Sequence, residues 1–169
     1  MAVLTTIALI IFIIEAQIPV PIPVPGVKLG LANTVTLFAL FSGRTDKRGA
    51  DELTTIDALM ILTCRILLGA VFTGRLIAFA YSIAGGLLGF AAQVVMKRFV
   101  TNRQIWVCGA IGAVLHNIGQ ILVAVWLTGT PAIAAYLPVL VIAGVLTGIM
   151  TGLVAQTTIE RIKHKVSAD

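Results

Sequence analysis

Apolar residues in this chain come in long runs broken by short polar or proline-rich pieces. They show neither the alternation of a half-buried strand nor the one-sided stripe of a soluble helix. A helix that crosses a bilayer needs ~20 apolar residues, with a range of ~17–25. Six stretches approach that: 1–17, 27–42, 53–71, 76–96, 104–127 and 134–158. The second is short, so it is drawn from Val27, with Lys28 reaching back to the interface. The first lacks a basic leader and an A-x-A site, so it reads as a retained span, not a cleaved signal. No long polar segment separates the runs. The predicted fold is therefore all-α, a six-transmembrane-helix bundle forming one integral membrane domain over residues 1–169.

Charge orients the bundle. Arg44, Lys47 and Arg48 fall between the second and third spans. Lys97, Arg98 and Arg103 fall between the fourth and fifth, and Arg161, Lys163 and Lys165 follow the sixth. The opposite side holds only Lys28 and Arg75, and Arg65 lies inside a span. Basic loops stay in the cytoplasm, so both termini are expected there. Composition agrees with a membrane setting. Hydrophobic residues make up 59% and charged residues 11%, with a mean hydropathy of +1.05. A soluble domain carries about 25% charged residues, so this chain has too little polar surface to cover a globule in water. A secreted disulfide scaffold, a disordered tail and a soluble nucleic-acid binder are excluded. The net charge of +5 then labels topology, and the expected surroundings are membrane lipid rather than nucleic acid. Cys64 and Cys108 lie in apolar stretches without CxxC spacing, which reads as two buried, reduced thiols.

Two backbone patterns stand out. Residues 18–26 alternate proline with apolar residues, a stiff extended segment that cannot be helical. It serves either as a rigid connector or as a lid over a ligand site. Gly144, Gly148 and Gly152 repeat every four residues on the sixth span, and Gly85 with Gly89 does so on the fourth. Small residues at that spacing let helix backbones meet closely in lipid, either inside the bundle or against another membrane subunit.

Ionisable groups inside a span cost ~2.5–3.5 kcal/mol each near the bilayer centre on insertion scales. Arg65 lies well inside the third span. His116, Asn117 and Gln120 lie near the middle of the fifth, with His116 and Gln120 four apart on one face. Glu15 ends the first span, and Asn33 lies in the outer half of the second. Arg65 and His116 each fall about twelve residues past a cytoplasmic helix start, ~18 Å deep at ~1.5 Å per residue. These groups form either a polar ligand pocket open to the outside or a structural network, with Glu15 and Arg65 as an ion pair. In a pocket, Arg65 would capture an anionic group, and His116, Asn117 and Gln120 would orient it.

Catalysis has little to stand on. No aspartate-rich run is present to hold magnesium for diphosphate chemistry. Asp51, Glu52 and Asp57 read as a solvated helix start. There is no Walker A sequence, His116 has no Ser or Cys nucleophile at useful spacing, and Gly85-Gly86-Leu87-Leu88-Gly89 lies mid-span. The chain is expected to be no enzyme and to carry neither cofactor nor metal.

Four blocks occur in order: Lys28-Leu29-Gly30-Leu31-Ala32-Asn33, Ser82-Ile83-Ala84-Gly85-Gly86, Gly112-Ala113-Val114-Leu115-His116-Asn117-Ile118-Gly119-Gln120, and Tyr136-Leu137-Pro138-Val139-Leu140. Over nearly the whole chain, this series resembles the bacterial "Gx transporter" or "heptaprenyl diphosphate synthase component I" family. That family is in turn similar to the substrate-binding S-components of energy-coupling factor (ECF) transporters. The resemblance implies a subunit of the bacterial cytoplasmic membrane that binds a vitamin-like, flavin-related or prenyl-related small molecule. It also implies partners, either a transmembrane T-component with ATPases or a flavin-carrying protein of an extracellular electron transfer system. Glu15, Lys28, Asn33, Arg65, His116, Asn117 and Gln120 are among the family's characteristic positions, and they are the expected substrate contacts.

Overall fold

A computed structural model describes residues 2–17, 30–43, 53–74 and 76–166. The proline-rich run 18–26, Lys28, the Arg44–Arg48 loop and Arg75 lie outside the described residues. Within them the chain forms α1 (Ala2–Glu15), α2 (Asn33–Ser42), α3 (Thr55–Thr73), α4 (Leu76–Met96), α5 (Ile105–Thr128) and α6 (Leu137–Val166). A short 3₁₀ turn over Pro131–Tyr136 leads into α6. The described residues contain no strand, so the fold is all-α.

Four helices, α3 to α6, are long and apolar enough to cross a membrane. α1 has 14 residues and α2 has 10. At ~1.5 Å per residue α2 reaches ~15 Å, half of a ~30 Å hydrocarbon core. Within the described part of the stretch 27–42, the helix begins at Asn33. The physical cause is Gly30, whose φ of +81° is left-handed and stops a right-handed helix. The N–H groups of Asn33 and Thr34 then close a turn onto the Gly30 and Leu31 carbonyls. The other apolar stretches coincide with helices whose bounds differ by a few residues at most, except that α6 runs on to Val166.

Local chemistry explains these ends. α3 begins with a capping box: Thr54 Oγ1 accepts from the Asp57 N–H at 3.2 Å, and Asp57 Oδ2 accepts from the Thr54 N–H at 2.7 Å. The acidic helix start therefore has a definite partner. α3 and α5 each end on a left-handed glycine, Gly74 and Gly129, both at φ +63°.

α2 touches all five other helices. Val35, Leu37, Ala39, Leu40 and Phe41 are all buried. A helix apolar on every side belongs in the middle of a bundle, and α2 sits there. Lipid-facing positions are also apolar, as at Val71, Phe72, Trp126, Leu146 and Met150. Exposure costs such residues nothing when the solvent is hydrocarbon. The same logic corrects the reading of the cysteines. Cys108 is buried and its thiol donates to the Gln93 carbonyl at 3.4 Å, but Cys64 is exposed on α3.

The glycines bring α4 and α6 onto α5. A Cβ on Gly148 would lie 2.6 Å from Ala110 Cα, and one on Gly152 would lie 2.5 Å from Trp106 Cα. A Cβ on Gly85 would lie 2.7 Å from the His116 carbonyl, and one on Gly89 equally close to that of Gly112. On Gly144 it would meet the Asn117 amide at 2.7 Å. The close-contact faces of all five glycines are therefore taken by α5 of the same chain. Gly148→Leu should cost ~3 kcal/mol or more through backbone overlap. Met150→Leu, on the lipid side of the same helix, should stay within ~0.5 kcal/mol. Unfolding of the purified protein in detergent measures both.

Candidate functional site

Several buried polar residues of the bundle meet around the start of α2. Glu15, the last residue of α1, is only 3% exposed. Its carboxylate accepts hydrogen bonds from the backbone N–H groups of Gly30 and Ala32. A helix start leaves N–H groups without intrahelical partners, and negative charge is favourable there. The carboxylate of one helix thus caps the buried start of another.

Arg65 lies mid-way along α3, also 3% exposed. Its Nη2 donates to Asn33 Oδ1 at 2.9 Å. The Phe12 ring of α1 lies 5.9 Å from the guanidinium carbon, within cation–π range. Gly69, one turn further along α3, makes room for that ring, because a Cβ there would overlap it at 2.3 Å.

Asn33 continues the chain. Its Nδ2 lies 3.4 Å from His116 Nδ1, and the Gln120 amide lies 3.0 Å from His116 Nε2. One polar chain thus runs Arg65, Asn33, His116, Gln120 and joins α3, α2 and α5. Gly85 of α4 lets the His116–Gln120 face approach. The chain borders a cavity of about 10 Å³ lined by Phe12, Glu15, Gly30, Arg65, Ser82, His116 and Gln120. That is about one water molecule's worth of space. Two buried polar atoms of its lining, Arg65 Nε and Gln120 Oε1, have no hydrogen-bond partner.

Five of the expected contacts, Glu15, Asn33, Arg65, His116 and Gln120, come together here. Asn117 does not join them. It is turned toward α6, where its Nδ2 donates to the Leu140 carbonyl at 2.7 Å and fits beside Gly144. Lys28 lies outside the described residues. The direct Glu15–Arg65 ion pair is not formed. The two charges line the same cavity, but Glu15 bonds to backbone and Arg65 to Asn33. Sequence reading passed over Phe12, and it quoted Gly30 and Ser82 only within the family blocks, not as site residues. Phe12 resembles any lipid-facing aromatic until Arg65 is set opposite it. Ser82 could have been found as a hydroxyl close to Gly85, on the helix that meets α5.

Residues 4–158 match the family described as heptaprenyl diphosphate synthase component I. The chain belongs to that family. The matched region contains the whole polar chain, its capped helix start and the glycine contacts around α5. The long apolar helices fit a multi-pass membrane protein. No curated protein and no solved structure matches the chain.

The hydrogen-bonded chain should behave as one unit. In a double-mutant cycle, Asn33→Ala and Arg65→Gln should couple by ~1–3 kcal/mol, since they share a bond to a charged group. Asn117→Ala should cost ~1–2 kcal/mol by itself and add independently to Arg65→Gln, because its bond lies on the other side of α5.

Proposed function

We propose that this chain is the membrane-embedded substrate-binding subunit of a small-molecule uptake system, comparable to an S-component. It would take its ligand from the outer face and depend on partner subunits for energy. One observation carries this reading: Arg65, a group costly to keep inside a membrane, lines a cavity with its Nε donor unpartnered. An arginine serving only to hold helices together would be expected to spend its buried donors on the protein, because an unmet buried donor costs ~1–3 kcal/mol.

The half-length α2 points the same way. Transport sites commonly lie where a discontinuous helix begins inside the bilayer, and here that beginning borders the cavity. Basic residues cluster on one set of loops, which supports cytoplasmic termini and a cavity in the outer half. No Walker A sequence is present in the chain, so energy would come from a T-component and its ATPases. The subunit would be non-catalytic.

A second reading draws on the family's own description and on a groove of about 530 Å³ between α4 and α5. Ala84, Leu87, Leu88, Ala91, Gly119, Leu122, Val123 and Trp126 line it. These favour an accessory membrane subunit of an isoprenoid- or quinone-linked system, or of flavin-based electron transfer.

A thermal-shift series on the purified protein separates the two, using flavins, thiamine, other vitamins and prenyl phosphates. Under the first reading at least one ligand stabilises the protein, by about 2.7 kcal/mol at a hundred times its Kd. Arg65→Gln should lose that effect while remaining folded. A protein that no ligand stabilises, and that instead purifies in a stable complex, supports the second reading and overturns the first.

A further inference from the structure

The direction of each hydrogen bond in the polar chain follows from its fixed end. Arginine has donors only, so Asn33 presents its carbonyl oxygen to Arg65. The Asn33 Nδ2 donor therefore faces His116 Nδ1. A ring nitrogen that accepts carries no proton, so the neutral ring holds its proton on Nε2. The Gln120 amide terminus beside Nε2 must then be the acceptor, its oxygen. An amide's two termini are assigned by such a network, and here Arg65 sets the assignment from three residues away. The structure places Gln120 Nε2 beside His116 and leaves Oε1 without a partner; turning the amide over puts the oxygen at His116 and leaves the NH₂ group as the terminus without a partner. The cavity lining then offers two unmet donors, Arg65 Nε–H and Gln120 Nε2–H.

What they ask for is an acceptor, and charge restricts its kind. Glu15 lines the same cavity and already balances the guanidinium charge, so an anion would bring an uncompensated charge into a low-dielectric site. The space of about 10 Å³ admits about one oxygen atom, so the acceptor enters as the tip of a larger group.

We propose that the cavity receives the carbonyl oxygen of a neutral ligand, of amide, lactam or quinone class, held between Arg65 Nε and Gln120 Nε2. This rests on the substrate-binding reading above, and it replaces the anion that an arginine alone would suggest. A carbonyl oxygen accepts two N–H groups with its two lone pairs. In the absence of ligand, one water can take the same place.

Two measurements test this. The first is ¹⁵N NMR of the histidine-labelled protein in detergent, with His164→Gln leaving His116 as the single histidine. The proton is expected on Nε2. A neutral ring protonated on Nδ1 overturns the donor assignment whether or not any ligand binds, and leaves the substrate-binding reading standing.

The second is thermal shift with benzamide and benzoate, which match in shape and differ in charge. Benzamide should bind roughly tenfold or more tightly than benzoate, because benzoate brings an uncompensated charge into the site. Gln120→Glu keeps an acceptor for His116 but removes the donor, so it should lose the benzamide shift with the Nε2 proton in place. Should that variant not fold, Arg65→Lys keeps the charge, removes Nε and should lose the shift equally. Benzoate binding as well as benzamide overturns the proposal. So does silence from both probes in a protein that another ligand of the wider series stabilises. Silence from every ligand overturns the substrate-binding reading itself.

Discussion

The arrangement depends on how a helix can begin in the middle of a bundle. N–H groups at such a start have no water to turn to, and each one left unmet in an apolar interior costs several kcal/mol. Here Glu15 supplies the acceptor for Gly30 and Ala32. With those groups satisfied, α2 can be short, mostly buried and in contact with every other helix. The carboxylate needs a counter-charge, which Arg65 supplies across the cavity. Arg65 needs an acceptor, which Asn33 supplies at the head of the same half-helix. One unmet requirement at the start of α2 thus accounts for most of the polar residues in the membrane interior.

Much of this was legible in the sequence, because cost in a bilayer singles residues out. Glu15, Arg65, His116 and Gln120 are conspicuous in apolar runs, and the structure brings all four together. α3, α4 and α5 fall within a few residues of their expected bounds. What escaped was chemistry set by three-dimensional placement. A run of apolar residues does not say whether its helix spans the bilayer or sits inside the bundle. α2 was therefore drawn too long, although Gly30 already carried the stop signal. Asn117 adjoins His116 in sequence, but neighbouring residues on a helix project ~100° apart, and that turn sends it to α6. Cys64 and Cys108 look alike in composition and differ only in which side of their helices faces the core.

The glycines and the polar chain act on the same surface, that of α5. Gly85 and Gly89 of α4 lie against the backbone at His116 and Gly112, and Gly144, Gly148 and Gly152 of α6 lie against Asn117, Ala110 and Trp106. A bundle closed this tightly leaves little slack around His116 and Gln120. The site is small because close backbone contact and buried hydrogen bonds have been placed side by side on one helix.

The path of the polar chain also bears on how the protein is made. Synthesis begins at the N-terminus, so Glu15 and Asn33 leave the ribosome before Arg65 does. The guanidinium is the most expensive group in the interior. By the time it reaches the bilayer, a balancing carboxylate and a hydrogen-bond acceptor are already there to receive it. Gln120 arrives later and carries no charge, so it can wait in lipid at lower cost. The order of residues along the chain therefore brings the guanidinium in only after both of its partners.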